Sequence, residues 1–373
     1  MKLRLLVALA VLALCAPAAA TAAPVVNARA YLVMNGATGE VLLARGAHER
    51  LPIASITKLM TALVTLERAR PDDVVTVDPD AAGVSGSSVR LRTGERLRVR
   101  DLLAAALIQS ANDAAVALGE YVGDGNGAAF VTLMNREARA LGLTDTRFVR
   151  PDGLDVAGHY SSAWDVTRLA LAAMKEPLIR RLVRQETATI AGGRTLQTWN
   201  DLLGEFPGVF GVKTGHTSNS GWNEVAAAIG NGVTIYATIL GSPSRGERNE
   251  DLEELLGWAM SRYTVVSLAP PGRVYGHVPV TYGETAVPAV AARPLRRAVR
   301  IGRPLVQRVV LAGLVDLPVR RGDVLGQLRV YDRDRLVGRT PLVAAEDRDE
   351  PSAAERVKWY AGRTVHHIGG WFS

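Results

Sequence analysis

Ser55-Ile56-Thr57-Lys58 stands at the head of an apolar run covering residues 59–66. Positions three apart share a face of a helix, so this spacing sets a hydroxyl beside an amine. Such a pair is a nucleophile with its own base. The lysines sharpen the point: there are five, at 2, 58, 175, 213 and 358, and the other 39 of the 44 basic residues are arginine. A guanidinium keeps its proton, whereas a desolvated amine can lose one near neutral pH. A lysine retained beside a serine in an arginine-rich chain therefore points to base chemistry.

Two further pieces follow in order. Ser110-Ala111-Asn112 comes after the apolar stretch 102–108, and Lys213-Thr214-Gly215 after the strand-like stretch 208–212. Each motif alone arises often by chance, as a helix start, a polar cap or a turn. The ordered trio S-x-x-K, S-x-N, K-T-G is the set carried by penicillin-binding proteins and class A β-lactamases.

The elements that must hold these groups are readable from periodicity. Residues 30–34 and 40–43 read as strands joined across Asn35-Gly36 and Thr38-Gly39, and residues 89–99 as a hairpin around Thr93-Gly94. Helices are expected over 101–108 and 113–121, flanking the Ser110 turn, and over 130–141, 163–174 and 250–260. The strand carrying Lys213 leads to strands 223–229 and 233–240 around Gly230-Asn231-Gly232. Strands first and last with helices between imply one antiparallel sheet flanked by helices, an α+β domain. From Ala269-Pro270-Pro271-Gly272 onward, short runs at 274–280, 298–301, 306–311, 324–330 and 336–337 alternate with turns, the pattern of a small all-β sandwich.

The chain start reads as an export signal: Lys2 and Arg4, then an apolar stretch 5–14, then small residues with options such as Ala20-Thr21-Ala22. The expected organisation is a signal peptide over 1–23, a catalytic domain over 24–267, a β-sandwich over 268–348 and a tail over 349–373. Cys15, the only cysteine, lies in the signal, which excludes disulfide and thiol chemistry from the processed chain. Leu14 before it argues against lipidation. The net charge of +7 falls to +5 without Lys2 and Arg4, and the excess is arginine without aromatic interleaving. Nucleic acid is thus no expected partner; an anionic membrane or wall polymer is. The six histidines lack ligand spacing, so neither a metal nor another cofactor is expected.

In the tail, Val357, Tyr360, Ala361, Thr364, Val365 and Ile368 form one helical stripe, with Arg356, Lys358, Arg363, His366 and His367 mainly elsewhere. That is the pattern of an amphipathic helix lying on a membrane, too short and polar to cross one. Gly362 and Gly369-Gly370 weaken it, and Trp371 and Phe372 extend it only if the helix continues.

Taken with their contexts, Pro52 to Thr61, Ile108 to Ala114, Asp152-Gly153-Leu154-Asp155 with Tyr160-Ser161-Ser162-Ala163, and Gly211 to Thr217 resemble the low-molecular-weight penicillin-binding proteins, serine-type D-alanyl-D-alanine carboxypeptidases. The resemblance runs nearly end to end. It implies a penicillin-recognising fold, export to the periplasm or outer face of the cytoplasmic membrane, and as partners peptidoglycan stem peptides ending in D-Ala-D-Ala and β-lactam antibiotics. Ser55 would form the acyl-enzyme, with Lys58 as base, neutral through burial and the charge of Lys213. Ser110 would relay a proton to the departing amine, and Asn112 would orient Lys58 and the substrate. Lys213 would bring positive charge, Thr214 a hydroxyl, and Gly215 close approach of substrate backbone. The backbone N–H groups of Ser55 and His216 would form the oxyanion hole. Thr214, Thr217 and Arg248 are candidates for the terminal carboxylate.

Three other functions compete. A β-lactamase needs a deacylating Glu, yet Glu120, Glu137, Glu176 and Glu186 stand in no such motif, and Ala111 occupies the place of an expected Asp. An endopeptidase acting on cross-links would carry the same trio. A non-catalytic scaffold would have no need of the complete set of hydroxyls and amines.

Overall fold

The computed structural model describes residues 6–12 and 22–369. The chain divides into two compact units that part between Arg262 and Tyr263.

The first unit is built on a five-stranded antiparallel sheet in the order Val41–Arg45, Ala30–Asn35, Val233–Ser242, Gly221–Gly230, Val209–Thr217. Its central strands are buried on both faces, so they read as near-continuous apolar runs. The face carrying Leu32, Met34, Val225 and Ala227 belongs to a large core shared with helices Lys58–Arg68, Val99–Leu107, Asn112–Val122 and Ala163–Ala173. Alanines at 104, 105, 106, 111, 114, 115 and 117 are all buried, which lets these helices approach closely. Helix Arg245–Ser261 packs on the sheet through Leu252, Leu255, Leu256 and Ala259.

The expected hairpin over 89–99 does not form. Arg96–Arg98 pairs instead with Val74–Thr76. The backbone N–H groups of Val89 and Leu91 donate to the buried Asp113 carboxylate at 3.1 and 3.0 Å, and Ser88 Oγ donates to it at 2.6 Å. A carboxylate satisfying several loop donors replaces the strand ladder.

Among the described residues the second unit is all-β apart from a 3-10 turn at Thr281–Gly283 and its final helix. Its larger sheet runs Leu6–Leu12, Leu305–Leu311, Val324–Asp332, Arg335–Ala344, Val287–Ala291, Val274–Val278, and a smaller one pairs Tyr263–Ala269 with Leu295–Arg300. Alternating burial along Leu305–Leu311 and Arg335–Ala344 builds a core around Leu305, Leu328, Val330 and Leu342. The boundary after the first unit thus falls at Tyr263, five residues before the expected 268. Strand Leu6–Leu12, inside the expected signal, lies along an open strand edge, where any apolar extended segment finds backbone partners. Lys2, Arg4, Cys15 and most of the cleavage region lie outside the described residues.

The last helix, Ala353–Gly369, opens with a capping box: Ser352 N–H donates to Glu355 Oε2 at 2.8 Å and Glu355 N–H to Ser352 Oγ at 3.4 Å. Trp359 meets the ring of Tyr282 edge-on at 5.6 Å, while Val357 and Tyr360 are 68% and 57% exposed. Trp371 and Phe372 lie outside the described residues. No described helix is long and apolar enough to cross a membrane.

Candidate active site

Ser55 sits not on the α-helix but in the 3-10 turn Ala54–Thr57 that leads into it, and Lys58 is the first residue of Lys58–Arg68. Residues three apart eclipse in a 3-10 turn, which brings the two side chains together more directly than α-helical spacing would. Lys58 Nζ lies 2.6 Å from Ser55 Oγ, 2.7 Å from Asn112 Oδ1 and 2.8 Å from the carbonyl oxygen of Asp152. Its side chain is fully buried. Burial pulls the amine down to about 7, against the opposing pull of Asp152 and Asp113. Burial, rather than the expected charge of Lys213, is therefore the leading cause of its acidity.

Asn112 is no helix cap: Ala111 holds that position, and the Asn112 amide bridges Lys58 and the carbonyl of Ser85, 2.8 Å away. Ser110 occupies the turn between two helices with φ of +64°, and Ala54, just before the nucleophile, has φ of +47°. Both walls of the site thus hold non-glycine residues in the left-handed region, a form of local strain common at functional sites. Lys213 Nζ donates to Ser110 Oγ at 2.9 Å and to the carbonyl of Thr214 at 2.9 Å. Burial first, then the neighbouring Lys58, push the Lys213 amine well below the usual lysine range. The site accordingly holds two serine–lysine pairs facing each other across the cleft.

Gly215 serves the protein itself. A Cβ there would lie 2.6 Å from Ile53 O and 3.0 Å from Ser55 N, so only glycine lets the strand Val209–Thr217 press against the nucleophile turn. Gly153, with φ of +84°, backs the same turn from the other side, where a Cβ would lie 2.0 Å from the carbonyl oxygen of Ala54. Below it, Val149 N–H donates to His159 Nδ1 at 3.2 Å, which leaves Nε2 to donate to Thr57 Oγ1 at 2.8 Å. Burial holds this imidazole neutral, down to about 4.

The cleft, of about 270 Å³, is lined by Ser55, Ser87, Ser110, Trp199, Thr214, Gly215, His216, Trp222 and Arg248. Arg248 is no surface ion pair: only 1% exposed, it meets Asp201 Oδ2 at 3.0 Å and Glu224 Oε2 at 3.1 Å. The His216 ring stacks on Trp222 at 3.9 Å. Thr217 is not in the lining; its hydroxyl donates to Asp155 Oδ1 at 2.9 Å. Ser87, Trp199, Trp222, Asp201 and Glu224 were not singled out from sequence. The only available signal was the position of Trp222 seven residues past Thr214–Gly215, on the strand neighbouring the K-T-G strand.

The arrangement is a serine hydroxyl with a buried, partly neutral amine, in a cleft ending in a fixed cation. That is the apparatus of acyl transfer from a peptide with a free carboxylate. Residues 17–244 match the family model described as peptidase S11, D-alanyl-D-alanine carboxypeptidase, and residues 263–350 match the C-terminal domain of penicillin-binding protein 5. The chain belongs to the S11 family of D-alanyl-D-alanine carboxypeptidases, the low-molecular-weight penicillin-binding proteins. It is 33% identical over 362 residues to D-alanyl-D-alanine carboxypeptidase DacD of Escherichia coli, covering 92% of both chains. The structure of Escherichia coli penicillin-binding protein 6B is similar with a TM-score of 0.64 at 30% identity, over 87% of this chain and 98% of that one. Penicillin-binding protein 5 of Haemophilus influenzae gives 0.65 at 26%, over 88% and 100%.

A pH prediction follows from the Lys58 amine. With its acidity near 7, the neutral fraction grows as pH rises through 7, so acylation of the enzyme by a penicillin should accelerate over that interval. A stopped-flow series from pH 5.5 to 8.5 reads this directly. A flat profile would remove Lys58 as the base.

Proposed function

We propose that this carboxypeptidase removes the terminal D-alanine from peptidoglycan stem peptides through an acyl-enzyme on Ser55. The observation that carries the reading is the contact of 2.6 Å between Ser55 Oγ and the fully buried Lys58 Nζ. Ser55 Oγ attacks the carbonyl between the two D-alanines and its proton passes to Lys58. The C–N bond breaks as that proton passes from Lys58 to the departing amine by way of Ser110 Oγ; water then attacks the ester, giving a proton to Lys58 that returns to Ser55 Oγ as the acyl group leaves. Ser55 N–H and His216 N–H face the developing oxyanion; loss of one such donor costs about 3 kcal/mol of transition-state stabilisation. Asn112 orients Lys58, and Thr214 and Arg248 receive the terminal carboxylate. Thr217 is left to hold the Asp155 loop, since its hydroxyl is engaged there. A penicillin enters the same path, but its leaving nitrogen stays tethered in the opened ring.

Two measurements on one preparation test the reading: the mass of the Ser55 peptide after penicillin treatment, and free D-alanine released from an acyl-D-Ala-D-Ala peptide. Labelling without release would favour a penicillin-binding scaffold. Release only from cross-linked dimers would favour an endopeptidase.

For the tail, the exposed Val357 and Tyr360 beside cationic residues support an interfacial helix outside the cytoplasmic membrane, after cleavage of an export signal. Each cation near an anionic surface adds about 1 kcal/mol. Deleting residues 352–373 should release the enzyme from anionic vesicles and leave D-alanine release from a small soluble peptide nearly unchanged. Equal sedimentation of truncated and complete chains would refute the anchor.

A further inference from the structure

We infer that Trp199 sets the size of the residue the enzyme can release, admitting D-alanine and rejecting D-amino acids with longer side chains. The inference rests on the carboxypeptidase reading. In that reading, the released residue spans from Ser110, which protonates its amine, to Arg248, which holds its carboxylate.

Trp199 is tied to both of those points. Its indole Nε1 donates at 3.0 Å to the carbonyl of Gln109, the residue before Ser110, and Ser87 Oγ donates to the same oxygen at 2.9 Å. At its other side, the guanidinium of Arg245 lies 5.4 Å from the ring centroid. Arg245 and Arg248 share the Asp201 carboxylate, with Nε of the first 2.7 Å and Nη2 of the second 3.0 Å from Oδ2. The indole is therefore fixed between the amine end and the carboxylate end of the leaving residue. It is 47% exposed and lines the cleft, so a large part of its surface remains open. Trp222, beside Arg248 at 5.8 Å, is another ring in the same lining.

A terminal D-alanine brings only a methyl group into this space. The residue released from a cross-link brings a chain of several methylenes. Selectivity of an apolar pocket runs to roughly 10–200-fold per methylene. Trp199 would thus separate a carboxypeptidase from an endopeptidase built on the same catalytic trio.

The test uses the complete processed chain and acyl-D-alanyl peptides ending in D-alanine, D-norvaline or D-lysine, with kcat/KM read from the amino acid released. The wild-type enzyme should favour D-alanine over D-norvaline by about tenfold or more, and over D-lysine further still. Trp199→Ala should narrow both ratios to within about threefold; because the side chain is half exposed, a melting curve suffices to check its fold. Trp199→Phe keeps a ring without the N–H donor and should retain the wild-type order of ratios. Unchanged ratios in Trp199→Ala would overturn the inference, as would a wild-type enzyme that does not discriminate. Ratios in Trp199→Phe as narrow as in Trp199→Ala would assign the effect to the Gln109 hydrogen bond and also overturn it. Release of no amino acid by the wild type would refute the carboxypeptidase reading itself, a result distinct from release without discrimination.

Discussion

Exchange of Ser55 for alanine is expected to abolish penicillin labelling and to lower D-alanine release by on the order of 10⁶-fold, as loss of a serine nucleophile does. The prediction is not trivial here, because the cleft presents two hydroxyl–amine pairs: Ser55 with Lys58 at 2.6 Å and Ser110 with Lys213 at 2.9 Å. What distinguishes Ser55 is its turn. Its own N–H lies against the K-T-G strand, where a Cβ on Gly215 would come within 3.0 Å of the nitrogen, so the proposed attack and oxyanion stabilisation would meet at one residue. Ser110→Ala should be slower than wild type yet still become labelled at Ser55. Mass spectrometry of the labelled peptides decides between them, and a Ser55→Ala enzyme labelled at Ser110 would reverse the roles.

Lys58→Arg is expected to be inactive although the charge is kept, with a loss on the order of 10²–10⁴-fold in the acylation rate, the contribution of a general base. An arginine does not give up its proton at any relevant pH. The lysine it replaces is brought down to about 7 chiefly by burial. Lys213→Arg should be the milder change, since a fixed cation preserves part of the electrostatic role on that wall. Near-wild-type acylation by Lys58→Arg would reduce Lys58 to a helix cation.

The chemistry was legible where it is local. Ser55 and Lys58 are three residues apart, and short-range geometry alone brings them together. The trio Ser110, Asn112 and Lys213 was legible as motif, and the α+β catalytic unit followed by an all-β module was legible from periodicity. Non-local partners were not. Asp201 and Glu224 become visible as the holders of Arg248 only when a turn, a sheet strand and a helix converge, and nothing in their immediate neighbours marks them. The failed hairpin over 89–99 has the same origin, since the competing acceptor, Asp113, lies more than twenty residues away. The early boundary at Tyr263 depends on pairing with Leu295–Arg300, and strand 287–291 on partners from both sides in space. Beside the room for substrate that the sequence suggests at Gly215, the fold adds a second demand that only three dimensions show: the atoms a Cβ would meet belong to the nucleophile turn.

The scarcity of lysine has a practical outcome for anyone attaching this protein to a surface or a dye. Of the five primary amines on side chains, Lys58 and Lys213 are sealed under the cleft, and Lys2 falls in the expected signal peptide. Lys175 and Lys358 are the exposed ones. Coupling chemistry aimed at amines would therefore reach this enzyme at two well-separated sequence positions and at its amino terminus, and would leave the reactive centre untouched. Immobilised in this way, the protein should remain open to β-lactams, with few and defined orientations on the support.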